Sequence, residues 1–232
     1  VERGGKVLIP TPAVGRGQEI MMVIDSYMRR GLLKEVPVYL DGMLNEATAI
    51  HTAYPEYLSR ELRDKILRED INVFQSEYFT PVTSQDQREE IAEDGPAIVL
   101  ATSGMMEGGP VLEYFKLMAG DPKNTLIFVS YQIEGTLGRR IKNGLKEVPL
   151  PTRDGKISVT EVKMEVASIE GFSGHSDRRQ LLSYVRRITP RPKMVVVCHG
   201  EAQKTIQLSS AISRIYRIST TAPQNLESVR VR

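Results

Sequence analysis

Two of the chain's three histidines lie in short, polar, glycine-bearing stretches: Gly171-Phe-Ser-Gly-His175-Ser-Asp177 and Cys198-His199-Gly-Glu201. An imidazole so placed can ligate a metal or move a proton near neutral pH. Two imidazoles alone do not complete a zinc site, which takes three or four protein ligands. A histidine at a strand end can equally be a hydrogen-bonded surface residue. The third, His51, falls in a helical pattern with no second ligand type near it and reads as structural or surface. Another stretch, Thr102-Ser103-Gly104-Met-Met-Glu-Gly-Gly-Pro110, follows an apolar run and precedes a helical one. Glycines let a backbone approach a ligand, and N–H groups at a helix start attract phosphate; the Ser103 hydroxyl adds a donor. It is neither a P-loop nor a dinucleotide fingerprint, so a tight connection needing glycine geometry explains it equally well. Tyr131-Gln-Ile-Glu134-Gly-Thr136 is a second polar turn, with Arg139, Arg140 and Lys142 beyond it. Those cations suit phosphate, although a basic helix surface is usually only solvated.

The elements that must position these residues follow from hydrophobic periodicity. Lys6–Ile9, Val36–Leu40, Pro96–Ala101, Thr125–Ser130 and Met194–Cys198 read as strands, the last apolar enough to make Cys198 a core residue. Lys156–Val162 and Met164–Ser168 read as two further strands in a hairpin-like pair. Helices are expected on the face Ile20, Met21, Ile24, Tyr27 and Met28, closed by Gly31, over Asn45–Ala53, and from Pro55 to about Leu67. Further helices are expected over Ser84–Glu93, Val111–Met118, Leu137–Asn143, Asp177–Arg187 and Gln203–Tyr216. Phe74–Val82 reads as irregular, Leu150–Gly155 as a turn, and the tail from Ala222 as a strand-like alternation. Strand and helix alternate, which predicts an α/β fold with a mostly parallel, Rossmann-like sheet flanked by helices. In such a sheet the strand C-termini share one edge, where ligands gather. A single cleft is therefore expected to collect Ser103, Glu134, His175 and His199.

Composition narrows the class. With 232 residues and 41 % hydrophobic content the chain can bury a proper core. A net charge of +2 neither demands nor excludes a nucleic-acid partner. One cysteine excludes an internal disulfide framework and fits a reducing, cytoplasmic setting. No apolar run reaches membrane-spanning length and no signal peptide opens the chain. It begins without a methionine and runs straight into a strand, as expected of a piece of something longer.

Four segments together resemble the β-CASP region of metallo-β-lactamase-fold nucleases, above all archaeal homologues of the cleavage and polyadenylation specificity factor. They are Gly4-Gly-Lys-Val-Leu-Ile-Pro-Thr-Pro-Ala-Val-Gly-Arg-Gly-Gln-Glu19, Ala101–Pro110, Tyr131–Arg139, and the pair Phe172–Asp177 with Cys198–Glu201. The resemblance implies that residues 1–19 trail from the lactamase part, 20–168 form the β-CASP domain, and 169–232 form the C-terminal strand/helix portion of the lactamase fold. It implies that His175 acts near the scissile phosphate, as acid or stabiliser, and that His199 ligates one of two zinc ions of the full-length parent. It makes Ser103 and Gly104 a phosphate-contacting loop, with Arg16, Arg139 and Arg140 as further contacts to the RNA backbone. Asp177 is expected to orient an imidazole or cap the next helix, and Glu134 to support the site.

The function so implied is zinc-dependent endonucleolytic, and also 5′–3′ exonucleolytic, cleavage of single-stranded RNA in 3′-end processing or termination. The parent is expected to be a homodimer without a membrane attachment. The family's His-x-His-x-Asp-His cluster is absent here, so this chain alone is expected to cleave nothing. The alternatives are a non-catalytic RNA-binding or assembly module and, from the glycine-rich loop alone, a binder of small phosphates.

Overall fold

The computed structural model describes every residue except Arg153, Ser173 and Arg232. Ser173 of the first histidine motif, Arg153 of the expected turn and the last residue of the tail thus lie outside the described residues. The chain divides into two units, Val1–Ser173 and Gly174–Arg232.

In the first unit β1 (Val7–Pro10), α1 (Arg16–Arg29), β2 (Val38–Asp41), α2 (Leu44–Ala53), α3 (Arg60–Arg68), β3 (Phe79–Val82), α4 (Gln85–Glu93) and β4 (Ile98–Ala101) lead to α5 (Pro110–Met118), β5 (Thr125–Phe128), α6 (Leu137–Lys142), β6 (Glu147–Pro151), β7 (Ile157–Glu161) and β8 (Glu165–Ser168). Six strands form one sheet in the order β3-β2-β4-β1-β5-β8, and every pairing is parallel. Central β4, Ile-Val-Leu-Ala, is buried on both faces, as a parallel strand under two helical layers must be. On one face α1 packs Ile20, Met21, Ile24 and Met28 onto Ile9, Val38, Leu40 and Leu100. On the other, α5 buries Val111, Tyr114, Phe115 and Met118 against Leu8, Val99 and Phe128; each such side chain stabilises the fold by roughly 1.5–3 kcal/mol. Tyr27, expected on the apolar face of α1, is 47 % exposed.

Three local expectations need correction. Phe79–Val82 is a strand: Pro81 lacks an N–H and breaks the alternation, yet at a sheet edge this costs no ladder bond. The hairpin is β6 with β7, antiparallel, closed by the Thr152 N–H on the Lys156 carbonyl (2.7 Å), while β8 joins β5 in the main sheet. Two prolines in β6 hide its alternation of buried Val148 and Leu150 with exposed neighbours. From Pro55 the chain makes a single 3-10 turn, Pro55–Tyr57, and restarts at α3, where the Ser59 hydroxyl accepts the Leu62 N–H.

The second unit holds α7 (Arg178–Arg187), β9 (Met194–Val196), α8 (Ala202–Tyr216) and β10 (Ser219–Thr221), around buried Val185, Val197, Ile212 and Ile218. Among the described residues β9 pairs with β10, in parallel, and not with any strand of the main sheet, so the expected single sheet does not include the strand that leads to His199. Because Val197 points inward, the next side chain points out: Cys198 is exposed, not a core residue. The tail after Ala222 forms no strand among the described residues. No helix among them is long and apolar enough to cross a membrane.

Candidate functional site

Parallel strands place the ends of β1, β4 and β5 on one edge of the sheet. β1 and β4 are neighbours, but the chain leaves β1 towards β2 and leaves β4 towards β5. Such a reversal opens a crevice between the two loops. Here the loops lock together. The Thr11 N–H donates to the Ala101 carbonyl (3.0 Å), and a Cβ on Gly104 would stand 2.8 Å from Pro12 Cδ. Gln132, fully buried, donates from Nε2 to the carbonyls of Gly104 (2.9 Å) and Ser130 (3.2 Å). The Gly138 N–H donates to the Met105 carbonyl (3.0 Å), and the Leu137 N–H to the Glu107 carboxylate (2.5 Å). The loop after β4 is therefore strapped to the first turn of α6.

The donors within this loop are divided. The Ser103 hydroxyl donates to the Gly108 carbonyl (3.2 Å) and accepts the Glu107 N–H (3.1 Å), bracing its own loop. The N–H groups of Met105, Gly108 and Gly109 have no protein partner among the described residues. Gly109 has φ of 79°, and a Cβ there would lie 2.7 Å from the Thr102 carbonyl oxygen, so only glycine fits.

Beneath the loop lies a charged network that sequence reasoning missed. Asp41, 1 % exposed at the end of β2, accepts from Arg88 Nε (2.8 Å) and Nη2 (3.0 Å) and from the Tyr114 hydroxyl (3.0 Å). Its backbone carbonyl takes the Thr102 N–H (3.3 Å), which ties β2 to the loop after β4. Burial, then the Asp41 charge, pushes the Tyr114 phenol far above its ordinary range; the bond to Asp41 holds the Arg88 guanidinium more firmly protonated. An acidic residue ending an apolar strand was the only available signal, because its partners lie 47 and 73 residues away.

Of the residues singled out by sequence, Ser103, Gly104, Glu134, Arg16, Arg139 and Arg140 belong to the loops and helix starts at this edge. Arg16 opens α1, is paired with Glu19 and stands 6.0 Å from the Phe172 ring centroid. Arg139 lies 6.0 Å from the Tyr131 ring centroid. Arg140 and Glu134 are exposed. His175, His199 and Asp177 belong to the second unit. His175 is exposed ahead of α7. Asp177 caps α7: its carboxylate accepts the Gln180 N–H (2.7 Å) and its own N–H donates to Gln180 Oε1 (2.8 Å). His199 is exposed in the turn between β9 and α8, with φ of 61°, a left-handed conformation uncommon for a residue with a Cβ. Among the described residues no group of three or more His, Cys, Asp or Glu side chains is gathered to hold a metal ion. These residues do not by themselves fit a zinc pair.

Two family models match along the chain. Residues 17–141 match the Beta-Casp domain, and residues 159–223 match the Zn-dependent metallo-hydrolase RNA specificity domain. Similar proteins include transcription termination factor FttA of Methanothermobacter thermautotrophicus, 56 % identical over 231 residues. The proteins of the same name from Pyrococcus horikoshii and Thermococcus kodakarensis are 55 % and 56 % identical over 233 residues. Each match covers all of this chain and 36 % of the relative, so the chain spans about a third of the length of the curated relatives it matches. Its parallel sheet, the loops on that sheet's edge and the match over more than half its length all agree: this chain belongs to the Beta-Casp domain family.

Proposed function

We propose that this chain is the RNA-contacting part of a transcription termination factor whose full-length form is a zinc-dependent endoribonuclease, with 5′–3′ exonuclease action as a further capacity. The observation that carries this reading is the order of the two family matches, a Beta-Casp domain followed by an RNA specificity domain, within one chain. Relatives that share more than half of its residues bear a termination factor's name.

In this reading residues 20–168 act as the β-CASP lobe and residues 169–232 complete the lactamase part. Single-stranded RNA lies along the sheet edge, held by the backbone N–H groups of Met105, Gly108 and Gly109 in the loop that Ser103 and Gly104 shape, and by Arg16, Arg139 and Arg140. Glycine-rich N–H groups of this kind suit phosphate oxygens. His175 serves the leaving oxygen or the charged phosphate, a role worth typically 10²–10⁴-fold in rate. His199 lends one imidazole to zinc, the remaining ligands coming from elsewhere in the parent, a cytoplasmic homodimer. Glu134 supports the edge and Asp177 holds the segment carrying His175 by capping α7.

The test is cleavage of end-labelled RNA. The parent should cut and its His175→Ala variant should lose at least about 100-fold in rate while keeping RNA affinity. This chain alone should bind RNA and leave it intact. Zinc-dependent cutting by the purified chain, or a His175→Ala parent as fast as wild type, would overturn the reading.

A further inference from the structure

The net charge of +2 conceals a segregation. From Gly174 onward stand eleven of the chain's 31 Lys and Arg but only three of its 29 Asp and Glu, a balance of +8 against −6 for the residues before it. In the first unit many arginines are neutralised where they stand: Arg3 by Glu165, Arg16 by Glu19, Arg29 by Asp25, Arg88 by Asp41, and Arg60 and Arg68 by Asp64. The second unit differs. Arg178, Arg179, Arg186 and Arg187 all belong to α7, all are exposed, and none has a carboxylate partner among the described residues.

The fold itself does not call for this arrangement. Arg178 and Arg179 occupy the first turn of α7, where the helix dipole disfavours cations. Arg179 and Arg186 are two turns apart on one face, about 10 Å along the axis at 1.5 Å per residue. Tyr184, 69 % exposed, sits three residues before Arg187 and so beside it. Guanidinium groups are the preferred cations for phosphate, and an exposed aromatic ring among them is a stacking platform for a base. An acidic polypeptide would use the charges but not the ring.

We propose that α7 presents an arginine surface, Arg178, Arg179, Arg186 and Arg187 with Tyr184, that holds the backbone of single-stranded RNA without reading its sequence. This rests on the reading above that the chain meets RNA, and adds to it a second contact, carried by the second unit. The experiment is fluorescence anisotropy of a labelled oligouridine with the whole chain, titrated at several salt concentrations. Arg178→Gln/Arg179→Gln and Arg186→Gln/Arg187→Gln are made as separate pairs, so that one misfolded pair leaves the other to decide; circular dichroism checks both. Arg60→Gln/Arg68→Gln, from the ion-paired α3, removes the same charge as a control. Each single-strand phosphate contact contributes about 0.7 to the slope of log affinity against log salt, or about five-fold in affinity at 0.1 M salt. Each α7 pair should therefore lower the slope by up to about 1.4, the control should leave it unchanged, and polyglutamate should not displace the RNA. Unchanged slopes in both α7 pairs, an equal drop in the control, or efficient displacement by polyglutamate would overturn this proposal while leaving the broader reading standing. A wild-type chain with no RNA affinity at low salt would overturn both.

Discussion

Gly138→Ala tests whether the strap between the loop after β4 and α6 is as rigid as its hydrogen bonds imply. Gly138 is helical, and alanine in a helix ordinarily gains about 0.5–1 kcal/mol over glycine. Here a Cβ would fall 1.9 Å from Gln132 Oε1 and 3.0 Å from the Met105 carbonyl oxygen. A free glutamine would swing aside cheaply. Gln132 is fully buried, and its Nε2 is tied to the Gly104 and Ser130 carbonyls, so moving it breaks those bonds. Leaving a buried carbonyl unpaired costs about 1–3 kcal/mol, and overpacking a core adds a similar amount. The steric loss exceeds the propensity gain, and a net destabilisation of about 2 kcal/mol is expected. For a chain of this size that lowers the melting temperature by about 4–8 °C. Thermal unfolding followed by circular dichroism reads it directly. The double variant Gln132→Ala/Gly138→Ala removes the obstruction and should be no less stable than Gln132→Ala alone, a coupling of at least about 2 kcal/mol. A Gly138→Ala chain melting at or above wild type, or simple additivity in the double variant, would refute the argument.

Arg88→Ala leaves Asp41 buried with Tyr114 as its remaining side-chain partner and should cost about 3–5 kcal/mol in urea unfolding; a loss under about 1 kcal/mol would mean that the network is not stabilising. Tyr114→Phe should cost about 1.5–3 kcal/mol at neutral pH. The folded-state phenol titrates above the unfolded one, so its contribution is full below about pH 10 and is lost as pH rises further, by up to about 1.4 kcal/mol per pH unit; the gap between wild type and variant should narrow above pH 10, and a constant gap would contradict the assignment. Asp177→Ala removes the cap of α7 and should lower the stability of the second unit by about 1 kcal/mol, seen in amide exchange of residues 178–187 and not in α5. Ser103→Ala should cost about 1 kcal/mol and weaken RNA binding only as far as the loop loosens; a large loss of affinity with unchanged stability would assign the hydroxyl to the ligand instead.

The parallel sheet was legible because its central strands are short, unbroken apolar runs, Ile98–Ala101 above all, separated by helices such as α4, which Ser84 caps. Prolines hid the rest. Pro81 disguised an edge strand, and Pro149 and Pro151 disguised the first strand of the hairpin, where a missing N–H is tolerated because each strand of a two-stranded sheet has one unpaired edge. Cys198 was misplaced by one residue of register: the alternation that buries Val197 sends its neighbour outward. At the site, Ser103, Gly104 and Glu134 could be placed in the turns after strands, and Arg139 on the helix that follows, because turn chemistry is local. Gln132 and the Asp41–Arg88–Tyr114 network could not, since each is defined by partners distant in sequence and brought together only by the sheet order.

The same distinction bears on how a glycine- and serine-rich loop should be read. In sequence, Thr102–Pro110 offers a hydroxyl and a helix start as anion donors. In the fold, the hydroxyl closes the loop on Gly108 and Glu107, and the first N–H groups of α5, those of Val111 and Leu112, donate to the carbonyls of Thr102 and Gly109. The groups that look most available are thus the ones that shape the loop. Those left over are backbone N–H groups beside glycine, whose direction depends on the braces. Glu107 and exposed Glu134 also place negative charge at this edge, which a polyanion must accommodate. Arg139 and Arg140, which have no carboxylate partner among the described residues, stand at the same edge to offset them. From Gly174 onward Lys and Arg outnumber Asp and Glu by eleven to three, so the second unit adds long-range attraction to the contacts that the sheet edge makes.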